Sequence, residues 1–252
     1  MIRPNIIPSE QYESHFNSLK RSRKDFTVVR NGNIKEIKYE SKIYKFISKI
    51  TPEQRLNMEA CRNVKADIKN RIKFIKLLSN SKPIQERIVN VESIVLGGEY
   101  KWFDIANCYW EIAYNSNLIS LDTYVKYIDH KEARNIAIGS LAKPVWVTDY
   151  VKGEQVNKER IPSKFEQYNR IVKETAYAIY EEISAITNVA YYNIDEYIIP
   201  SDSSRKVQAI LRRYNVSVNR SKLDYMKCVE HTGNKALLQN IINVNDKRYI
   251  IG

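Results

Sequence analysis

Apolar and polar positions change period along this chain, and each change marks an element. Phe26-Thr27-Val28-Val29-Arg30, then Asn31-Gly32, then Asn33 to Tyr39 predict a β-hairpin, because Asn-Gly supplies the positive φ angles of a tight primed turn. Thr51-Pro52-Glu53-Gln54 predicts a helix start. Threonine caps it, proline suits the first helical position, and Gln54 can reach back as a capping box. An apolar stripe of Val64, Ile68, Ile72, Ile75 and Leu78 carries this helix to about residue 78. After a break at 79 to 83, Ile88 to Leu96 reads as a buried strand and Gly97-Gly98 as a turn. The turn feeds an aromatic, strand-like segment that ends on Asp104, just where a helix pattern through Glu111 to Asn115 begins.

In the second half, Leu121 to Ile128 reads as a short helix, and Lys131, Asn135 and Gly139 fall at i, i+4 and i+8, one stripe of another. Ser163-Lys164-Phe165-Glu166 predicts a capped helix to about Ile186, with a stripe of Tyr168, Ile171, Val172, Thr175, Ile179, Ile183 and Ile186 suited to the back of a sheet. Val189 to Ile199 is β-rich, yet Asn193, Asp195 and Glu196 sit in its middle. Burying an acid without a partner is costly, so these residues belong in a turn or a site. A short basic helix from Ser201 or Asp202 to Tyr214 follows, then strands at 216 to 218 and 222 to 229, a turn at 232 to 235 and a hairpin at 243 to 247. The sum is an α+β protein.

Composition narrows the partners. With 43% hydrophobic and 28% charged residues the chain of 252 is an ordinary folded one, and 41 Lys and Arg against 29 Asp and Glu give +12, which favours a polyanion such as nucleic acid. The first 100 residues hold 20 of the basic and 11 of the acidic groups, so a soft boundary near residue 95 divides a basic, mostly helical N-terminal region, 1–95, from a second domain, 96–252. Lys65, Lys69, Lys73 and Lys76 give the long helix a face that could follow a phosphate backbone, or simply a wet basic face. Cys61, Cys108 and Cys228 are too far apart for a CxxC site, and His15, His130 and His231 make no zinc-ligand set. No apolar run approaches the roughly 20 residues of a membrane span, and Met1-Ile2-Arg3-Pro4 opens no signal peptide, so a soluble, cytoplasmic protein is expected.

Three motifs in order carry the candidate chemistry. Asp104-x-x-Asn107-x-Tyr109 resembles the first polymerase motif of family B DNA polymerases, Asp-x-x-Ser-Leu-Tyr; Lys131-x-x-x-Asn135-x-x-x-Gly139 resembles the second, Lys-x-x-x-Asn-Ser-x-Tyr-Gly; and Tyr191-x-Asn193-x-Asp195-Glu196 resembles the third, Tyr-Gly-Asp-Thr-Asp-Ser. The resemblance covers residues 96 to 230. It implies a palm-like antiparallel sheet with a ferredoxin-like core packed on helices, and two-metal nucleotidyl transfer. Asp104 and Asp195 would hold Mg²⁺ or Mn²⁺, with Glu196 a further candidate ligand. Lys131 would neutralise the triphosphate, Asn135 and Asn107 would sit near the nucleotide, and Tyr109 would pack under the sugar and favour dNTPs. Lys222 and Tyr225 look like the Lys-x-Tyr element that grips a primer end.

The departures are specific. Asn193 falls where the family has an aspartate, Ile136 and Ile138 replace the second motif's serine and tyrosine, and only a stub between 111 and 131 is left for fingers. The expected activity is template-directed DNA synthesis on a primer-template, with other replication proteins as possible partners. A primase-like enzyme, or a catalytically inactive palm-derived DNA-binding protein, stays open. Richness in Lys, Asn, Ile and Tyr adds a hint of an AT-rich, phage-like genome.

Overall fold

The computed structural model describes residues 4–31, 34–75, 83–219, 224–241 and 248–251. Its elements run β1 (Asn5–Pro8), α1 (Tyr12–Arg21), β2 (Phe26–Asn31), β3 (Ile34–Tyr39), β4 (Lys42–Ile47), α2 (Pro52–Arg71), β5 (Arg87–Val89) and β6 (Glu99–Asp104). Then come α3 (Cys108–Asn115), α4 (Leu121–Tyr127), α5 (Lys131–Gly139), β7 (Val145–Val151), β8 (Glu154–Ile161), α6 (Glu166–Ser184), β9 (Tyr191–Asn193), β10 (Glu196–Pro200), α7 (Ser204–Arg213), β11 (Asp224–Thr232), β12 (Lys235–Asn240) and β13 (Arg248–Ile251). The protein is α+β, with two sheets that are antiparallel except where β1 joins β4.

The chain forms two compact units, each discontinuous: Met1–Lys65 with Glu132–Asn169, and Ala66–Lys131 with Arg170–Gly252. Residue 95 lies inside the second unit, so the charge shift along the sequence is not where the chain divides. The N-terminal stretch is also less helical than its composition suggests, because β2 to β4 build a meander there.

The first unit holds a six-stranded sheet in the order β1-β4-β3-β2-β7-β8. Alternation along the strands sends Phe26, Val28, Ile37 and Phe46 to one face, where they pack with Tyr12 and Leu19 of α1. The hairpin of β2 and β3 forms as its pattern predicts, with Asn31 paired to Ile34; Gly32 and Asn33 of the turn lie outside the described residues. The capping box also forms: Thr51 N–H donates to Gln54 Oε1 at 3.1 Å, and Gln54 N–H donates to Thr51 Oγ at 3.2 Å. The helix it opens stops at Arg71 and tightens into a 3-10 turn over Ile72–Phe74. Val64, Ile68 and Ile75 are buried, but Ile72 is 55% exposed, because the tighter turn rotates it off the apolar stripe. Leu78 lies outside the described residues.

The second unit holds a seven-stranded sheet in the order β13-β12-β11-β6-β10-β9-β5, so β6 lies between β10 and β11. One of its faces carries Phe103, Tyr197 and Tyr192 in register, and α6 packs there, stacking Tyr180 on Tyr192 with ring centroids 4.4 Å apart. Ile179 and Ile183 of α6 are fully buried, as a helix behind a sheet requires, whereas Ile186 beyond its end is exposed. Two expectations fail nearby. The buried strand expected over 88–96 is only the three-residue β5 followed by a 3-10 turn at Val91–Ser93, and Val95 and Leu96 are exposed. Ser163 Oγ accepts from Phe165 N–H, two residues on, so the predicted box is not made and α6 starts at Glu166. The expected hairpin at 243 to 247 lies outside the described residues. Among the described residues no helix is long and apolar enough to cross a membrane.

Candidate active site

Asp104 ends β6, and the chain turns sharply after it. Ala106 N–H donates to Ser217 O at 2.8 Å, Asn107 takes a left-handed conformation at φ 52°, and its carbonyl accepts from Trp110 and Glu111 N–H to start α3. Asparagine is among the few residues that tolerate this conformation. The same corner holds the third motif. Asn193 of β9 pairs with Glu196 of β10 across a two-residue loop, Ile194-Asp195, and Ile105 N–H donates to Asp195 O at 2.7 Å. The first and third motifs are therefore stitched together through the backbone.

Register defines the face. Arg87, Asn193, Glu196 and Asp104 stand opposite one another across β5, β9, β10 and β6, and directly opposed side chains share a face. Phe103, Tyr197 and Tyr192 fill the other face, so the two acids Glu196 and Asp104 lie on the side away from α6. Carboxylates directly opposite repel; Arg87, at the other end of the row, lies with its guanidinium 5.9 Å from the centre of the Tyr191 ring. Asp104 is 5% exposed. Its neighbour Cys108 has its thiol pushed well above the ordinary range by burial, with the charges of Asp195 and Asp104 adding to the effect. Tyr109, half-buried on the first turn of α3, is likewise raised, by burial first, with a contribution from Asp195; it stays a neutral hydroxyl throughout the physiological range. Among the described residues no three His, Cys, Asp or Glu side chains are arranged as a ready-made metal cage.

The remaining predicted residues scatter. The i, i+4, i+8 stripe forms: Lys131, Asn135 and Gly139 are all exposed on α5, and a Cβ built on Gly139 would meet nothing within 4 Å. Lys131 belongs to the second unit, however, while Asn135 and Gly139 belong to the first. Lys69 and Lys73 are exposed; Lys65 is half-buried in the first unit, its Nζ 5.8 Å from the centre of the Phe165 ring. Lys76 and Lys222 lie outside the described residues. Tyr225 is paired with Lys101 of β6, one residue out of phase with Asp104, and so lies on the opposite face. Its hydroxyl accepts from the buried Lys101 Nζ at 2.9 Å. The stub between 111 and 131 folds as the end of α3 and the whole of α4, the latter capped by Ser120, which accepts from Thr123 N–H.

Arg87 is the site residue that sequence reading missed. It sits just before Ile88, in a run read only for its apolar content, and register alone brings it beside Asn193. In comparisons with known protein families and with curated proteins, nothing matches the chain.

Proposed function

We propose that the second unit is a palm-like domain of the family B DNA polymerase type, and that the protein is a minimal template-directed nucleotidyltransferase extending a DNA primer with dNTPs. The observation that carries this reading is the backbone-stitched corner in which the end of β6, bearing Asp104, meets the β9–β10 loop, bearing Asp195, with Glu196 opposite Asp104. The order of the three motifs supports it independently.

Mg²⁺ characteristically binds through one or two carboxylates and completes its shell with water and substrate phosphate, so a pair of aspartates without a third protein ligand suits it. Asp104 and Asp195 would hold the ions, with Glu196 within reach of the same face. When bound, such ions lower the pKa of a primer 3′-hydroxyl and offset charge on the leaving pyrophosphate. The chain's own groups do the rest. Tyr109, kept neutral, offers an aromatic floor for the sugar. Lys131 supplies a point charge for the triphosphate, and Arg87 a planar cation in the row that contains Asp104. Asn193, at the position of the family's first aspartate, leaves the site one negative charge lighter.

The test is extension of a labelled primer on a DNA template with dNTPs and Mg²⁺ or Mn²⁺, comparing wild type with Asp104→Ala and Asp195→Ala. Extension by wild type that both substitutions abolish is the expected result. Extension that survives both sinks the reading, and DNA binding by all three with no extension by any favours a palm-derived binding protein.

A further inference from the structure

The sheet of the first unit carries a cross-strand row of a different character. Arg30 of β2 stands opposite both Lys35 of β3 and Trp146 of β7, and Trp146 stands opposite Arg160 of β8. The four share one face and, at about 4.8 Å per strand, span roughly 14 Å. Lys158, two residues before Arg160, holds its Nζ 5.1 Å from the centre of the Trp146 ring, as a side chain on the same face should.

Helix α1 covers the neighbouring part of this face and stops short of the row's far end. Its Tyr12 meets the near end of the row, with Lys35 Nζ 4.0 Å from the centre of the Tyr12 ring. Trp146, by contrast, is 38% exposed, while Trp110 is buried and Trp102 packs against the core of the second unit's sheet. β8 is exposed along its whole length. The acids nearby are few: Glu166 lies 3.7 Å from Arg160 and Glu13 3.6 Å from Lys35, both across exposed ion pairs of small worth, and Glu159 alternates to the other face.

We propose that this row binds single-stranded nucleic acid, with a base stacked on Trp146 and phosphates met by Lys158, Arg160 and Arg30. An open indole flanked by cations is the combination that takes an unpaired base and its backbone together, and a duplex offers no free base face to it. Lys158 is a point charge on a flexible stem, so it can leave the indole for a phosphate as a base takes its place. The proposal goes beyond nucleotidyl transfer and does not rest on it, since none of these residues belongs to the second unit.

The experiment uses the full chain with a fluorescein-labelled oligothymidylate, read by anisotropy over a range of KCl and by tryptophan emission. Wild type is expected to bind it more tightly than a duplex of equal length, with quenched emission. Trp146→Ala should weaken binding roughly ten-fold or more, and Trp146→Phe much less. Lys158→Ala with Arg160→Ala should lower the slope of log K against log salt by about 1.4. Glu230→Ala, an exposed change in the second unit, should bind as wild type does, whether or not primer extension is ever observed. Unchanged affinity in both the tryptophan and the double variant, each with wild-type circular dichroism, would overturn the proposal and leave Lys158 and Arg160 as charges that blunt a sheet edge. Equal affinity for duplex, or no binding by wild type, would overturn it as well.

Discussion

Of the hairpins that close through two-residue loops, two treat the same geometric demand in opposite ways. Between β7 and β8 the loop is Lys152-Gly153, with φ of 49° and 80°. Glycine takes the second position, and a Cβ there would come within 2.3 Å of the Lys20 carbonyl at the end of α1, so only glycine fits. Between β9 and β10 the loop is Ile194-Asp195, with Ile194 at φ 57°. A β-branched residue is about the worst choice for that region. The first hairpin serves the stability of a sheet edge. The second keeps a strained residue in the loop whose Asp195 carbonyl accepts from Ile105 N–H, and strain of this kind gathers at functional sites.

Gly153→Ala puts the largest stress on this contrast. It should cost about 3 kcal/mol, from the positive φ and the displaced α1 carbonyl together, read as a lower urea midpoint. The second hairpin's strands supply the next test, because Tyr192 and Tyr197 are both pushed above the ordinary phenol range by burial, while Tyr214, whose hydroxyl donates to Glu182, is pushed up to about 12, again by burial first. A phenol whose pKa is raised by folding keeps its proton in the native state after the unfolded chain has lost it near pH 10. Stability should therefore be full below pH 10 and fall as pH rises from about 10 towards 12. Urea midpoints across that range should show the decline, and Tyr192→Phe with Tyr197→Phe should flatten it. The smallest effect is expected at the strained loop: Ile194→Asn, which tolerates the left-handed region, should raise stability by about 0.5 kcal/mol while slowing primer extension. A drop in stability there would mean that the isoleucine side chain packs well enough to outweigh its backbone.

Local chemistry made much of the fold legible. The Thr51 capping box, the hairpin of β2 and β3, the strand ending on Asp104 and the helix stripe of α6 all follow from residue spacing, because each is settled within a few residues. The candidate site was legible as far as Asp104 and Asp195, which the third-motif hairpin delivers to one corner. Register was not. Whether Glu196 or Asp195 faces the same way as Asp104, and that Arg87 joins them, depends on how distant strands align. The same holds for Tyr225: a one-residue offset puts it on the far face. The segment Val145 to Val151, three apolar residues then two polar and two apolar, drew no reading as a strand, and its pairing with β2, more than a hundred residues earlier, has no local signal.

The chain passes between its two units at residues 65, 131 and 169, and this interleaving governs how the protein can be made and cut. During synthesis the first sheet has four strands after about fifty residues, but its last two emerge only after β5 and β6 of the other sheet. Neither unit can finish before the other has begun. A fragment ending near residue 95 would leave β2 with a bare edge where β7 belongs, an open template for self-association. A protein split within one of the passages would keep every strand of both sheets, and the natural order of the chain ties the completion of one sheet to the appearance of the other.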